Sequence, residues 1–231
     1  MNDFCPTFRF KQFGVDDRRS ALRVGTDGVL VGAWAVAPQD AIRMLDVGAG
    51  CGVIALMLAQ RYADALITAS EIDAGSVDDL RLNILNSPWS DRISVAEGDF
   101  NGVDGVFDLI ASNPPYFTNG ELAPDASRAR ARHASCLSPV SLIRYAAAHL
   151  SPDGVLAMIT PVEQSPCIEA EAAFARLSLK RRTDVATSPR RGVTRTLWEF
   201  TKAPCALPAP GRLDLNSDDY RILTRDFYLH F

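Results

Sequence analysis

The stretch Asp46-Val47-Gly48-Ala49-Gly50-Cys51-Gly52 joins the apolar run 42–47 to a second apolar run, 53–62. Three glycines at alternate positions let a backbone turn sharply and approach a neighbour closely. The run before the turn reads as a buried strand. The run after it carries Ile54, Leu56, Met57 and Leu58 and reads as a helix. A strand, a tight glycine turn and a helix form the first part of a βαβ unit, and such units build a parallel sheet with right-handed crossovers.

The same alternation continues downstream. Strands are expected over 66–70, 93–97, 107–112, 154–160, 179–185 and 196–201. Helices are expected over 74–86, where Ser87-Pro88 supplies the stop, and over 139–150 and 168–177. With 42–47 this makes seven strands. The fold class is therefore α/β, a mainly parallel, Rossmann-like sheet with helices on both faces. Residues 203–211 hold three prolines and read as a loop, while the aromatic-rich 218–231 is expected to dock on the body. The 231 residues suffice for a single domain, 1–231, with a sizeable core.

Composition removes several classes. Hydrophobic residues are 47% of the chain, which argues against disorder. No run approaches the roughly 20 apolar residues of a membrane span. The segment MNDFCPTFRFKQF lacks the apolar core of a secretory signal. Five scattered cysteines, without Cys-x-x-Cys, and only three histidines suggest neither a disulfide framework nor a metal site. A reduced, cytoplasmic protein is the expectation.

The net charge of −4 is unevenly distributed. Residues 40–108 carry twelve acids against four arginines. Residues 128–144 carry four arginines and no acid, and 176–202 carry eight Lys/Arg against Asp184 and Glu199. Such segments usually solvate exposed faces. Here they follow the strand 107–112, so a polyanion footprint is a competing reading.

Two details of the glycine turn favour S-adenosylmethionine over NAD. Its Gly-x-Gly-x-Gly spacing departs from the pyrophosphate fingerprint. Asp46, ahead of the turn, would attract a methionine ammonium and repel a pyrophosphate. Glu71 closes the second strand about twenty residues on, where an acid can accept both ribose hydroxyls. Asp99 closes the third strand and suits an adenine amine, with Phe100 beside the ring; a helix-cap role fits it equally well.

The fourth strand ends in Asn113-Pro114-Pro115-Tyr116. The Asn113 side-chain oxygen and the Pro114 carbonyl can accept both N–H bonds of a planar amine. That positions a poor nucleophile and favours its pyramidalisation. The prolines stiffen the corner, and Tyr116 can stack on a flat target.

This order of motifs resembles the class I S-adenosylmethionine-dependent methyltransferases. Within them it looks most like the bacterial tRNA1(Val) (adenine(37)-N6)-methyltransferase family. The resemblance rests on residues 8–13, 24–34, 46–52, 86–89, 112–116, 130–133 and 223–229. It implies methylation of an adenine N6 in tRNA, at position 37 in the anticodon loop, by a monomer needing no metal. It implies that Asn113, Pro114, Pro115 and Tyr116 form the catalytic corner. Thr26, Asp27, Asp46, Gly48, Gly50, Gly52, Glu71, Ile72, Asp99, Phe100 and Asn113 would surround the cofactor. Lys11, Gln12 and Phe13, within an N-terminal cover over 1–40, would close the site. Lys11, Arg128, Arg130 and Arg132 would contact RNA, and His133 could neighbour the site. Methylation of a protein glutamine, a guanine N2 or DNA adenine also fits an Asn-Pro-Pro-Tyr corner. The few residues before 42 leave little room for the recognition domain that glutamine methyltransferases carry.

Overall fold

A computed structural model describes residues 4–115, 137–188 and 190–230. It contains an eight-stranded sheet in the order β10-β8-β9-β7-β6-β3-β4-β5 and a separate two-stranded ribbon. The ribbon pairs β1 (Phe8–Arg9) with β2 (Gly14–Val15). The sheet comprises β3 (Arg43–Val47), β4 (Leu66–Glu71), β5 (Ile93–Glu97), β6 (Phe107–Ser112), β7 (Leu150–Pro161), β8 (Ser178–Ala186), β9 (Val193–Thr201) and β10 (Gly211–Asp214). Within the eight-stranded sheet β9 runs antiparallel to both neighbours, and every other pairing is parallel. Strands covered on both faces read as continuous apolar runs, and β3 and β6 are buried along nearly their whole length.

The helices are α1 (Thr26–Trp34), α2 (Val53–Arg61), α3 (Ala74–Leu85), α4 (Pro139–His149), α5 (Ser165–Phe174) and α6 (Asp218–Thr224). One apolar cluster packs α1, α2 and α3 on one sheet face, and a second packs α4 and α5 on the other. Local signals start two of the helices. Asp73 caps α3 by accepting from the Ser76 N–H (2.9 Å). Ser138 and Ser141 cap α4 reciprocally, with Pro139 in the first turn.

From β3 the chain winds outward through β4 to β5, then returns to place β6 on the other side of β3. The reversal makes the β3–β6 boundary a topological switch point. In open α/β sheets ligands bind there, outside the carboxyl ends of the strands.

Three features depart from the sequence expectation. The sheet has an eighth strand, β10, which begins at Gly211 where a loop was expected to end. Residues 26–34, assigned no element from the sequence, form α1. Strand β7 starts at Leu150 and is longer than 154–160. The C-terminal segment docks as expected: Phe227 is buried, and its carbonyl accepts from the Lys11 N–H (2.8 Å).

Candidate active site

The glycine turn projects from the carboxyl end of β3. Gly48, Gly50 and Gly52 all have positive φ, +68°, +55° and +90°, which side chains resist. The N–H groups of Gly48 and Ala49 both donate to the Ser70 carbonyl at 2.9 Å, which moors the turn to β4. The glycines differ in what a Cβ would meet. At Gly50 the space is open to 4 Å, whereas at Gly52 a Cβ would lie 2.6 Å from Leu80 Cδ1 of α3. Gly52 therefore serves helix packing, and Gly50 is the position where a ligand can approach the backbone. At Gly48 a Cβ would meet Leu137 Cδ2 at 2.5 Å.

Asp46 is fully buried beneath the turn. Its Oδ2 accepts from the Ala55 N–H (2.9 Å), near the start of α2, and its Oδ1 has no partner among the described residues. Burial pushes the carboxyl up to about 7; the Ala55 N–H opposes this and the nearby Glu71 charge adds to it.

Glu71 ends β4 and reaches back over the turn. Its Oε2 accepts from the Gly50 N–H (2.8 Å), and its Oε1 accepts from the N–H groups of Ile72 and Asp73 (2.8 Å each). Its carboxylate thus orders the turn, with lone pairs remaining for a ribose. Asp99 caps a short 3-10 turn, Phe100–Gly102, by accepting through Oδ1 from the Asn101 backbone and side-chain amides. Both bonds use one oxygen, so Oδ2 remains an available acceptor. Gly48, Ser70, Glu71, Ile72, Gly98, Asp99, Phe100 and Leu137 line an open cleft. Phe100 is fixed edge-on to Tyr145 of α4, with ring centroids 5.2 Å apart.

Ser112 fastens the Asn113-Pro114-Pro115 corner to this cleft. Its buried hydroxyl donates to the Val47 carbonyl at 2.7 Å, linking the ends of β6 and β3. Asp46 pairs with Ala111 in the parallel register, so Asn113 follows β6 as Gly48 follows β3. Adjacent strands lie about 4.8 Å apart, so the corner and the turn face one crevice. Pro114 is buried; Asn113 and Pro115 are half-buried. Tyr116, Arg128, Arg130, Arg132 and His133 lie outside the described residues.

Other expected site residues are placed elsewhere. Lys11, Gln12 and Phe13 do not cover the crevice. Lys11 and Gln12 border a separate hollow with Gln60, Arg61 and Asp226, at the far end of α2 from the glycine turn. Phe13 packs on Phe10 and Trp89. The reason is the docked tail: both the Lys11 N–H and its Nζ donate to tail carbonyls, of Phe227 and Arg225. The segment that does approach the carboxyl edge is 16–24. There the Asp16 N–H donates to Asn83, whose amide nitrogen donates in turn to the Cys51 carbonyl (2.8 Å). Buried Asp79 accepts from the Arg19 and Ser20 N–H groups. No sequence motif signals these contacts, which couple the N-terminal segment to the glycine turn through α3.

Thr26 opens α1 and is exposed, while Asp27 Oδ2 accepts from Arg195 Nε (3.0 Å) on β9. That ion pair holds Asp27 toward β9, two strands beyond β6, rather than at the glycine turn. The basic segment 176–202 is likewise partly internal. Arg181 stacks over Trp34 at 3.7 Å and pairs with buried Glu199, and Arg182 pairs with Glu169 and Asp184. Among the described residues no three His, Cys, Asp or Glu side chains converge as a metal site, and no helix is long and apolar enough to cross a membrane.

The residues present fit S-adenosylmethionine. The orphaned Asp46 oxygen wants a cationic partner, Gly50 leaves room for close approach, and two further carboxylates border the cleft. A Rossmann-like sheet with this crevice at its switch point defines a class I methyltransferase, and S-adenosylmethionine is its cofactor. Comparison agrees: residues 28–183 match the methyltransferase small domain family. The chain resembles the solved structure of a predicted O-methyltransferase from Agrobacterium tumefaciens (TM-score 0.69, 22% identity, 87% of this chain and 96% of that one). It also resembles the ribosomal protein L11 methylase of Lactobacillus delbrueckii subsp. bulgaricus (TM-score 0.53, 21% identity, 76% and 78%). At such identities these likenesses speak for the fold alone.

Sequence relatives are nearer. The chain is 40% identical to a tRNA1(Val) (adenine(37)-N6)-methyltransferase of Bacteroides thetaiotaomicron, over 97% of this chain and 98% of that protein. It is 37% identical to the protein of the same name from Vibrio parahaemolyticus, over 96% and 95%. The chain belongs to the tRNA1(Val) (adenine(37)-N6)-methyltransferase family.

Proposed function

We propose that this chain transfers a methyl group from S-adenosylmethionine to N6 of adenine 37 in the anticodon loop of tRNA1(Val). The observation that carries the reading is the Ser112–Val47 hydrogen bond, which fixes the Asn-Pro-Pro corner beside the glycine turn. The names of the relatives support the substrate.

S-adenosylmethionine would supply an electrophilic methyl group from its sulfonium, whose S–C bond electrons stay on sulfur so that it leaves as the neutral thioether S-adenosylhomocysteine. The chain supplies position. The Asn113 side-chain oxygen and the Pro114 carbonyl accept the two N–H bonds of the adenine amine, which orients its lone pair toward the donor side of the crevice. As the new bond forms, the nitrogen gains positive charge and its protons become acidic. The same two acceptors stabilise that charge, and one proton then leaves to water. A loop base that is already unstacked enters such a corner more readily than a paired base. Glu71 and Asp99 would hold the cofactor's ribose and adenine. The protein works as a monomer in the cytoplasm.

Methylation of a protein glutamine is disfavoured by the relatives, which are named for adenine methylation of tRNA.

The test is methyl transfer from isotopically labelled S-adenosylmethionine to purified tRNA1(Val), with the product nucleoside mapped by mass spectrometry. One N6-methyladenosine at position 37 is expected. Cofactor binding without that product would overturn the reading.

A further inference from the structure

The hairpin that joins β8 to β9 lies at the same edge of the sheet as the acceptor corner. Strand β8 runs parallel to the strands that carry the site, and Ala186 at its end pairs with Val193. Arg195 pairs in register with Pro161, the last residue of β7. The turn between them therefore projects beyond the carboxyl edge. It is closed by the Arg191 N–H donating to the Ser188 carbonyl (3.0 Å). From strand spacing and rise, its tip stands about 20 Å from Ser112 along that edge.

The stretch 187–195 carries Arg190, Arg191 and Arg195 and no acid, in a chain with net charge −4. Its cations divide by use. Arg195 is paired with Asp27 (3.0 Å), and neighbouring Arg212 on β10 with Asp214 (2.8 Å). Arg190 and Arg191 are exposed, and neither guanidinium has a partner among the described residues. Exposed Glu163, after β7, and Asp218 and Asp219, at the start of α6, bound the patch without neutralising it. Two exposed guanidiniums on a closed hairpin turn fit consecutive phosphates, because each offers a planar fork of donors.

We propose that the β8–β9 hairpin is a docking element for the tRNA backbone, with Arg190 and Arg191 holding phosphates a few nucleotides from the base in the crevice. The inference rests on the tRNA reading above. It assigns the hairpin affinity and register, and leaves the chemistry to the corner, since phosphate contacts position a nucleic acid without reading its sequence.

The experiment uses the full chain with three paired substitutions: Arg190→Glu/Arg191→Glu, Arg190→Gln/Arg191→Gln and Arg190→Lys/Arg191→Lys. For each, the tRNA Kd is measured across salt concentrations, together with the S-adenosylmethionine Kd and the kcat and KM of transfer. The Glu pair is expected to raise the tRNA Kd and KM by about tenfold or more. It should flatten the salt slope by about 1.4–1.8, the release expected from two phosphate contacts. The Lys pair should recover most of the affinity, while cofactor Kd and kcat stay unchanged. Should the Glu pair lower the Tm, the Gln pair carries the comparison, with a smaller shift in the same direction. Unchanged tRNA Kd and salt slope in variants of an enzyme that still methylates tRNA would overturn the hairpin's role alone. A wild-type chain that neither binds nor methylates tRNA would overturn both.

Discussion

Asp46 is buried, has one oxygen without a partner among the described residues, and has a pKa raised to about 7 from an ordinary 3.8. A carboxyl whose pKa is higher folded than unfolded stabilises the fold below about pH 4. That contribution is lost as pH rises toward 7. Stability should thus fall across that window, and Asp46→Asn should remove this part of the slope, as read by urea denaturation at several pH values. Binding runs the other way, because a cationic ligand prefers the ionised carboxylate. S-adenosylmethionine affinity should rise about tenfold from pH 6 to pH 8, following the ionised fraction of a group with pKa near 7. Asp46→Asn should flatten that rise, as read by calorimetry. Ser112→Ala should cost about 1–3 kcal/mol, because it leaves the Val47 carbonyl buried without its donor. It should also slow transfer more than it weakens cofactor binding, and equal losses in the two would argue against a role in seating the corner. Asp46, Glu71 and Asp99 are legible in sequence because each lies at or just beyond the end of a strand, at a countable distance from the glycines. Ser112 is not, since its meaning lies in a carbonyl that only the fold brings near. The placement of Lys11 is hidden for the same reason: the docked tail holds it at the far end of α2 from the glycine turn.

The glycine turn shows how one motif serves two purposes. Gly52→Ala places a Cβ against Leu80 at φ +90°, and should destabilise the fold by about 2–4 kcal/mol. Gly50→Ala meets no atom within 4 Å and should cost only the left-handed penalty, about 1–2 kcal/mol. Its larger effect should be on S-adenosylmethionine affinity. Denaturation midpoints and cofactor titrations on both variants check the contrast, which fails if Gly52→Ala is the milder for stability. Most elements were readable because β3, β4 and β6 are apolar runs bounded by glycine, proline or acid. Helix α1 was not, because Val24-Gly25-Thr26-Asp27-Gly28 has the composition of a turn, and packing on α2 decides its conformation. Strand β10 escaped notice because four residues, two of them Gly and Arg, give no alternation to read.

At the scale of the molecule, the order of strands gathers what the sequence disperses. Asp46, Glu71, Asp99 and Asn113 come from four successive strand ends and meet at one edge because β3, β4, β5 and β6 are parallel. The overall class follows from that alternation alone. The basic segments are a different matter, since sequence cannot tell an arginine spent on an internal pair, such as Arg181, from one left exposed, such as Arg191. The central claim is that the turn binds the methyl donor while the corner positions the acceptor amine. It is tested most directly by measuring, on Asn113→Ala, the S-adenosylmethionine Kd beside the rate of N6-methyladenosine formation in tRNA1(Val). The account predicts an unchanged Kd and a rate lower by at least about a hundredfold. A rate near wild type, or a cofactor Kd that weakens in step with the rate, would contradict it.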